Sequence, residues 1–296
     1  MDDFVIKEYK KILCKTMEAF IKFCSENKIS YMGCGGTAIG ALRHGGIIPW
    51  DDDIDVYMPR HDYERFLANR KKLNNSQYRI AAPGDDNFHY SFSKFYDNTT
   101  TLVELPQFPN CVIGVFIDIF PLDEVSGDFE EIKRKKRIYD KLYDRFLYSF
   151  WRVSFRSICS HIFHRKFRNL FYMIYTKFVS HEKLDKIRNE FVLFDKERIT
   201  DKGDKVLTYI SIYGLEKEVF NKEWFENVIS IPFEYFRINI PSGYNKYLTQ
   251  LYGDYMTPPP IEKQVTRHFH YYLNLKERLD PMEIKKRLDK GEHTVM

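Results

Sequence analysis

The sequence predicts an α/β fold, in which a sheet is flanked by helices and a helical segment is inserted into the domain. Three observations favour it: an amphipathic helix at the start, short apolar strands that alternate with helices up to about residue 120, and a basic helical stretch after them. The chain has 296 residues, 44% of them hydrophobic, so it can bury a substantial core. This composition excludes a disordered, collagen-like or disulfide-stapled protein.

The first predicted elements are a long helix, a short strand and a second helix. Over Asp2–Lys28, apolar residues recur at spacings of three and four with charges between them, as on one face of a helix. Ile29–Cys34 is a short apolar stretch that predicts a strand. The Gly35-Gly36 turn then leads into a short helix, which we expect Thr37 to cap and Gly45-Gly46 to end.

Strands predominate in the next part of the chain. The sequence predicts a strand over Asp51–Met58, a helix over about 60–73, and two short strands within 78–105. Cys111–Phe120 is dense in β-branched and aromatic residues, which is typical of a buried strand. We expect Pro121 to end that strand because proline cannot donate a hydrogen bond to a sheet.

The second half of the chain is predicted to be mainly helical. We interpret residues 128–200 as a helical insertion, within which the stretch between Asp144 and Glu182 contains no acidic residue. Further helices are expected near 181–200 and 217–228, and a last charged helix near the carboxyl terminus. No repeat or low-complexity linker divides the chain. We therefore expect a single domain over 1–296 with three parts, in chain order a core of strands and helices at 1–125, the insertion at 128–200 and a completing part at 201–296.

Charge and cysteine content exclude several classes of protein. The formal net charge of +4 is too small over this length to indicate a nucleic-acid-binding protein. The 5 cysteines are odd in number and widely spaced, which argues against a disulfide framework or a zinc finger and favours a reducing cytoplasm. Charges interrupt the first 30 residues, and the longest uncharged run, Ile29–Leu42, is too short to span a bilayer. We expect neither a signal peptide nor a transmembrane segment.

Three aspartates alternate along the predicted strand at 51–58. With the two-residue period of a strand, Asp51, Asp53 and Asp55 project from the same face. Like charges placed in this way repel one another, and a divalent cation with oxygen ligands, Mg²⁺ or alternatively Mn²⁺, would stabilise them. Asp52 points the other way and is expected to be solvated. The alternative is an acidic turn at the start of a strand, without a metal.

Two further features accompany these aspartates. Gly35-Gly36-Thr37 lies between a strand and a helix start, where a backbone without Cβ can approach a phosphate and the helix offers amide donors. Asp118 lies within a predicted buried strand, where a carboxylate needs a metal or a basic partner. Alone, the first is also compatible with a plain turn and the second with a salt-bridged aspartate. Together with Asp51, Asp53 and Asp55 they indicate a phosphate-and-metal site.

Several segments of the chain together resemble one protein family. They share glycine turns and closely spaced acids, and they are Gly35–Arg60, Asp62–Phe66, Lys94 with Asp97–Thr99, Phe116–Asp123, and Tyr252–Pro260 with His268. They closely resemble the signature of the LicD family of phosphocholine transferases, which is related to fukutin-type transferases. The resemblance covers roughly residues 10–125 and 230–270 and leaves the insertion out.

The resemblance implies a nucleotidyltransferase-like fold and a particular chemistry. Asp53, Asp55 and Asp118 would be the catalytic and metal-binding acids, with Asp51 beside them as a further metal ligand or an orienting group. The donor would be a CDP-activated alcohol, most often CDP-choline. The acceptor would be a hydroxyl of a cell-surface glycan or a lipid-linked glycan, such as a precursor of lipopolysaccharide, teichoic acid or capsule. Attack of that hydroxyl on the β-phosphorus would release CMP.

The residues expected to bind the donor are Gly35, Gly36, Thr37, Arg43, Lys94 and His268. Arginine can hold a phosphate by bidentate contact and lysine as a point charge, although a surface charge is the alternative for both. Asp118 would either accept the hydroxyl proton or bind a second metal ion. Trp50 is a candidate for contact with the quaternary ammonium of choline through cation–π attraction.

Two other functions remain alternatives at this point. A true nucleotidyltransferase would attack the α-phosphorus of a nucleoside triphosphate and release pyrophosphate, so the product separates the two enzymes. A catalytically silent membrane- or glycan-binding module is the alternative outside enzymology. It is disfavoured because every expected acid is present.

The acid-free stretch at 145–181 combines cationic and aromatic residues. Helices of this kind can lie in a membrane interface, so one interpretation is a cytoplasmic protein attached peripherally to the inner face of the membrane. The other is an ordinary packed helical subdomain. No RNA-binding motif accompanies the basic residues, and no nucleic-acid partner is expected. The basic residues are Arg145, Arg152, Arg156, Arg165, Lys166, Arg168 and Lys177.

Overall fold

The computed structural model of the chain describes residues 3–151, 163, 167–198, 202–210, 212–266, 268 and 270–292. The helices, in chain order, are α1 (Asp3–Glu26), α2 (Gly35–His44), α3 (Arg60–Ala68), α4 (Phe129–Tyr148), α5 (Phe167–Phe178), α6 (His181–Glu197), α7 (Leu215–Glu218), α8 (Tyr244–Tyr252) and α9 (Pro281–Asp289). The strands are β1 (Met32–Gly33), β2 (Asp55–Pro59), β3 (Tyr78–Ala81), β4 (Ser93–Asp97), β5 (Thr101–Val103), β6 (Phe116–Val125), β7 (Lys205–Leu207), β8 (Phe220–Asn221), β9 (Val228–Phe233), β10 (Phe236–Pro241) and β11 (Tyr272–Asn274). Short 3₁₀ turns lie at Arg70–Leu73, Lys222–Phe225 and Ile261–Lys263.

A mixed sheet lies at the centre of the fold. Its strand order is β1-β2-β6-β4-β3, with β2 and β6 parallel and the other pairs antiparallel. The far end of β6 also pairs with β7, which in turn pairs with β8. Strands β9 and β10, and strands β5 and β11, form separate antiparallel pairs. The predicted α/β class, a mixed sheet flanked by helices, is confirmed.

Helix α1 forms one wall of the core. Its apolar face is fully buried at Leu13, Met17 and Phe20. The ring of Phe20 packs edge-on against the rings of Phe66 and Phe95, at centroid distances of 5.9 and 5.7 Å. Burying a side chain of this size contributes about 1.5–3 kcal/mol, so this face holds the helix on the sheet. The predicted helix is confirmed over nearly its whole length.

Helix α2 begins two residues earlier than its predicted cap. Cys34 is the N-cap and makes no side-chain capping bond, and the prediction that Thr37 caps the helix is wrong. Thr37 is instead buried in the first turn, where its hydroxyl accepts a hydrogen bond of 2.8 Å from the backbone N–H of Asp55. The predicted end is confirmed, since Gly45 adopts a left-handed conformation with φ +70°.

Two predicted strand boundaries are wrong. Strand β2 begins at Asp55, because the chain before it turns, with the backbone N–H of Asp51 donating to the carbonyl of Ile48. Strand β6 continues past Pro121 to Val125. In the parallel ladder with β2, Met58 lies opposite Pro121, but the N–H groups that face β2 are those of Asp118 and every second residue after it. On the other edge of β6, the pairing with β4 stops at Ile119 and the pairing with β7 starts at Asp123, so no ladder needs an N–H at the proline.

The predicted helix at 217–228 is also wrong. The short helix α7 ends at Glu218, and β8 follows because Phe220 is fully buried and pairs with Val206 of β7. Helices α4, α5 and α6 do occupy the region interpreted as an insertion. The division of the chain into a core, an insertion and a completing part stays a prediction.

The described cysteines, Cys14, Cys24, Cys34 and Cys111, are free and buried, and Cys159 lies outside the described residues. Among the helices that the structure describes, none is both long and apolar enough to cross a membrane.

Candidate active site

Three charged side chains form a row across the sheet. In the parallel pairing of β2 with β6, Asp55 lies opposite Asp118. In the antiparallel pairing of β6 with β4, Asp118 lies opposite Lys94. Residues opposite one another in neighbouring strands project from the same face of a sheet. The register therefore brings two aspartates from distant parts of the sequence next to each other and next to a lysine.

Lys94 neutralises the buried end of this row. Its side chain is fully buried, and its ammonium lies 2.7 Å from Oδ1 of Asp118 and 3.0 Å from Oε2 of Glu104. The hydroxyl of Tyr90 donates to the same Glu104 oxygen at 2.6 Å, and the ring of Phe116 lies 3.4 Å from the ammonium. Burial opposes the charged form of Lys94, but Asp118 and Glu104 outweigh it and raise its pKa. The ion pair with Lys94 thus fixes the position of the Asp118 carboxylate.

The aspartates repel one another at the open end of the row. Burial and then the Asp118 carboxylate raise the pKa of Asp55 to about 8. Burial, Asp55 and Asp51 raise the pKa of Asp53 well above its ordinary value. Burial also raises the pKa of Asp118, to about 6, against the opposing effect of Lys94. Such a cluster holds protons at neutral pH unless a cation replaces them.

His268 lies between two of the aspartates. Its Nδ1 is 2.6 Å from Oδ1 of Asp52, and its Nε2 is 3.1 Å from Oδ2 of Asp53. The hydrogen bond to Asp52 raises the pKa of His268 to about 9. Burial opposes ionisation of Asp52, but the hydrogen bond and charge of His268 outweigh it and lower the pKa of that carboxyl. The prediction that Asp52 is solvated is therefore wrong.

The glycine turn lies against the first of the aspartates. A Cβ on Gly36 would lie 2.7 Å from Oδ2 of Asp51, so only glycine leaves this carboxylate its position. Gly35 has φ +51°, which favours glycine, and it begins helix α2. The first turn of a helix leaves backbone N–H groups without intrahelical partners, and the helix dipole there favours an anion such as a phosphate.

A cavity of about 520 Å³ opens over these residues. Of the predicted site residues, those that line it are Gly35, Gly36, Asp51, Asp53, Asp55 and His268. Its other walls come from β6, the segment after β7, α7, α8 and the segment after α8, and they include Trp50, Phe120, Tyr213, Glu218, Tyr252 and Lys263. The structure thus gathers most of the predicted residues around one space of a size that suits a small nucleotide ligand.

Four predicted residues do not line this cavity. Thr37 supports the start of β2 through its bond to the Asp55 N–H. Lys94 and Asp118 lie beneath the cavity, paired with each other. Arg43 lies near the other end of α2, where its guanidinium donates to the carbonyl of Tyr255 at 2.8 Å.

The oxygen-rich donor set fits a hard divalent cation such as Mg²⁺. One oxygen each from Asp51 and Asp52 and one nitrogen of His268 lie within 4.8 Å of one another. Asp53 and Asp55 border the same cavity, and their pKa values are raised by burial and by neighbouring carboxylates, two costs that a bound cation would offset. Asp52 and His268, which lie with Asp51 in this compact group, were not among the predicted metal ligands.

Sequence reasoning missed several residues of this site. Glu104 and Tyr90 complete the pocket of Lys94, and Asp52 holds His268. The only local signal for Asp52 was its place within the run of acids. Glu218 carries no motif at all, and only the fold brings it to the cavity.

The described residues of the basic, aromatic stretch do not line this cavity. Helix α5 exposes Phe171, Ile174 and Phe178, with exposed fractions of 62%, 41% and 84%. In contrast, Arg145 of α4 pairs with Glu190 of α6. Of the predicted basic set, Arg152, Arg156, Arg165 and Lys166 lie outside the described residues.

Comparisons with known proteins find relatives of this chain. The sequence model of the LicD/FKTN/FKRP nucleotidyltransferase domain matches residues 28–165. The lipopolysaccharide cholinephosphotransferase LicD of Haemophilus influenzae is 30% identical over 271 residues, which are 90% of this chain and 97% of that protein. The uncharacterized protein RT0683 of Rickettsia typhi is 34% identical over 86 residues, 27% of this chain and 28% of that protein.

Proposed function

Because this chain belongs to the LicD family, we propose that it is a phosphotransferase that moves phosphocholine from a CDP-activated donor to a hydroxyl of a cell-surface glycan. The name of the Haemophilus influenzae relative supports phosphocholine as the group and a lipopolysaccharide as the acceptor. A CDP-alcohol as the donor, CMP as the product and a lipid-linked form of the acceptor are finer parts of the same proposal. We propose that the enzyme works in the cytoplasm.

The observation that carries the proposal is the group of acids at the edge of the cavity. Asp53 and Asp55 face the cavity with raised pKa values, and Asp51 lies against the glycine turn. A Mg²⁺ ion, or alternatively Mn²⁺, would be held by Asp51, Asp53, Asp55 and Asp118, with His268 and Asp52 beside it. When bound, such an ion neutralises the negative charge of the donor pyrophosphate.

The chain's own groups would orient the donor. The first amides of α2, at Gly35 and Gly36, offer hydrogen-bond donors to a phosphate, and Lys263 adds a positive charge at the cavity wall. Arg43 is too far along α2 to join them, since eight residues of helix span about 12 Å.

The transfer step forms one bond to phosphorus and breaks another. The acceptor oxygen attacks the β-phosphorus, the bond from that phosphorus to the CMP oxygen breaks, and the hydroxyl proton passes to a carboxylate. Asp53 would be a carboxylate only with the cation bound, and because it borders the cavity, its second oxygen is better placed for this proton than Asp118, which is paired with Lys94. Because Asp118 is paired with Lys94, we assign it the role of a metal ligand and not that of the proton acceptor.

Contact with a membrane surface through the exposed aromatic side of α5 is a further part of the proposal, because lipid-linked acceptors reside there. No nucleic-acid partner is proposed.

Calorimetric titration tests the donor class. CDP-choline, CDP-glycerol, CDP-ribitol, CTP and ATP are titrated with Mg²⁺ into the wild type, Asp53→Asn and, as a matched control, Asp86→Asn, which changes an exposed aspartate. We expect CDP-choline to bind the wild type and Asp86→Asn alike, and to bind Asp53→Asn at least tenfold more weakly. Preference for a triphosphate would favour the nucleotidyltransferase, and no nucleotide binding would favour the silent module.

A further inference from the structure

A buried glutamate that lines the cavity has one carboxylate oxygen without a hydrogen-bond partner among the described residues. Glu218 has only 5% of its surface exposed. Its Oε1 accepts hydrogen bonds of 3.1 Å from the backbone N–H groups of Ile212 and Tyr213. Its Oε2 has no hydrogen-bond partner among the described residues, and no cation of those residues lies within ion-pair distance. A buried carboxylate left in this way is costly unless a ligand compensates it.

Aromatic side chains line the same cavity as this carboxylate. Tyr213 and Tyr252 meet edge to face, with ring centroids 5.3 Å apart at an angle of 80°. Both line the cavity together with Glu218, Tyr57 and Phe120. Aromatic faces attract cations, and a methylated ammonium, which cannot donate strong hydrogen bonds, is bound in this way.

The aromatic corner formed by Tyr213 and Tyr252 adjoins the glycine turn at Gly35. The hydroxyl of Tyr252 would lie 3.3 Å from a Cβ built on Gly35, so its ring extends from the turn toward Tyr213. In phosphocholine only two carbons separate the phosphate oxygen from the ammonium nitrogen. A phosphate at the start of α2 would therefore place its ammonium near this corner.

We propose that Glu218, with Tyr213 and Tyr252, forms the subsite that binds the trimethylammonium headgroup of the donor. The inference rests on the proposed function for its substrate, and it adds the residues that select a cationic alcohol over a neutral one. Glu218 supplies the opposite charge and the tyrosine rings supply the cation–π surface. The sugar-derived alcohols glycerol and ribitol carry no charge and would gain nothing from this carboxylate.

The Glu218→Gln variant isolates the charge. Its amide oxygen can still accept the two backbone hydrogen bonds that Oε1 accepts, so the loop at 212–213 keeps its support. Glu216→Gln is the matched control, because it removes the same charge from the same helix at an exposed position outside the cavity. Thermal unfolding by circular dichroism checks that both variants are folded.

Tetramethylammonium tests the subsite without nucleotide, phosphate or turnover. Its binding to the full chain is followed by broadening of its methyl proton signal. We expect the wild type and Glu216→Gln to bind it alike, and Glu218→Gln and Tyr213→Leu to bind it about tenfold more weakly or worse. Absence of binding to the wild type, or equal binding to Glu218→Gln, would overturn the proposal even if CDP-choline is a substrate.

The donor itself supplies the second arm. CDP-choline is compared by calorimetry with the uncharged analogue in which carbon replaces the ammonium nitrogen. We expect the wild type to prefer CDP-choline about tenfold and Glu218→Gln to bind both analogues equally, with CMP affinity unchanged. A preference retained in Glu218→Gln contradicts the subsite. Failure of both nucleotides to bind any form would refute the proposed function, while the tetramethylammonium result would still decide the subsite.

Discussion

Replacing Asp55 with asparagine is predicted to stabilise the metal-free protein at neutral pH. The ordinary pKa of this carboxyl is 3.8, and burial followed by the Asp118 carboxylate raises it to about 8. Between these two values the native state keeps a proton that the unfolded state has lost. The free energy of unfolding therefore falls as the pH rises from about 4 to about 8. Protonated Asp55 contributes its full stability below pH 3.8, and this contribution is lost by about pH 8.

The size of the effect follows from the width of the window. Each pKa unit corresponds to about 1.36 kcal/mol, and pH 7 lies about three units above the ordinary value. Native Asp55 therefore costs on the order of 4 kcal/mol at pH 7 relative to the same group at low pH. Asparagine has no charge to bury and does not incur this cost.

Urea unfolding in the presence of EDTA, followed by circular dichroism, measures the effect. We expect the wild type to lose stability relative to Asp55→Asn by about 1.36 kcal/mol per pH unit between roughly pH 4 and pH 7. The exposed Asp86→Asn control should follow the wild type. Excess Mg²⁺ should favour the wild type, because the ion compensates the carboxylate that the variant lacks. Parallel stability curves for the wild type and Asp55→Asn would refute the reasoning.

Three further predictions concern the surroundings of the site. Gly36→Ala places a Cβ 2.7 Å from Oδ2 of Asp51, so we expect Mg²⁺ binding measured by calorimetry to weaken. Gly45→Ala is the control, because the Cβ at that position would lie in open space. We expect it to bind Mg²⁺ normally and to lose about 1 kcal/mol of stability, since Gly45 has a left-handed backbone conformation. Lys94→Met leaves the buried carboxylates of Asp118 and Glu104 unneutralised, so its unfolding free energy in urea should fall by about 3–5 kcal/mol, and an unchanged value would contradict the assigned ion pairs. Cosedimentation with anionic liposomes should capture the wild type and fail when the exposed aromatic residues of α5 are replaced by serine; capture of neither or of both would remove membrane contact from the account.

Local patterns were sufficient for the elements that depend on local chemistry. The spacing of apolar residues predicted α1, and the left-handed preference of glycine predicted the end of α2 at Gly45. The aspartate run predicted one cluster of acids at 51–55, because residues a few positions apart remain neighbours in any fold. Those predictions needed no knowledge of the distant chain.

Contacts between distant segments were beyond these patterns. His268 contacts Asp52 across 216 residues of sequence. The two-residue alternation of a strand predicted that Asp52 points to solvent, but this alternation does not apply there because the strand begins only at Asp55. Lys94 was expected to hold a donor phosphate, with a surface charge as the alternative, and only the register of β4 against β6 shows that it is buried against Asp118. Pro121 was expected to end a strand, but the two ladders on either side of it made its missing N–H harmless.

Phosphocholine transfer from a CDP-activated donor can be observed by following the donor's phosphorus atoms. CDP-choline, Mg²⁺ and a lipopolysaccharide acceptor are incubated with the wild type or Asp53→Asn, and the products are observed by phosphorus NMR. We predict that the wild type forms CMP and a new phosphocholine diester in equal amounts, and that Asp53→Asn forms neither. Turnover by Asp53→Asn at the wild-type rate, or pyrophosphate formed from CTP in place of CMP from CDP-choline, would contradict this prediction.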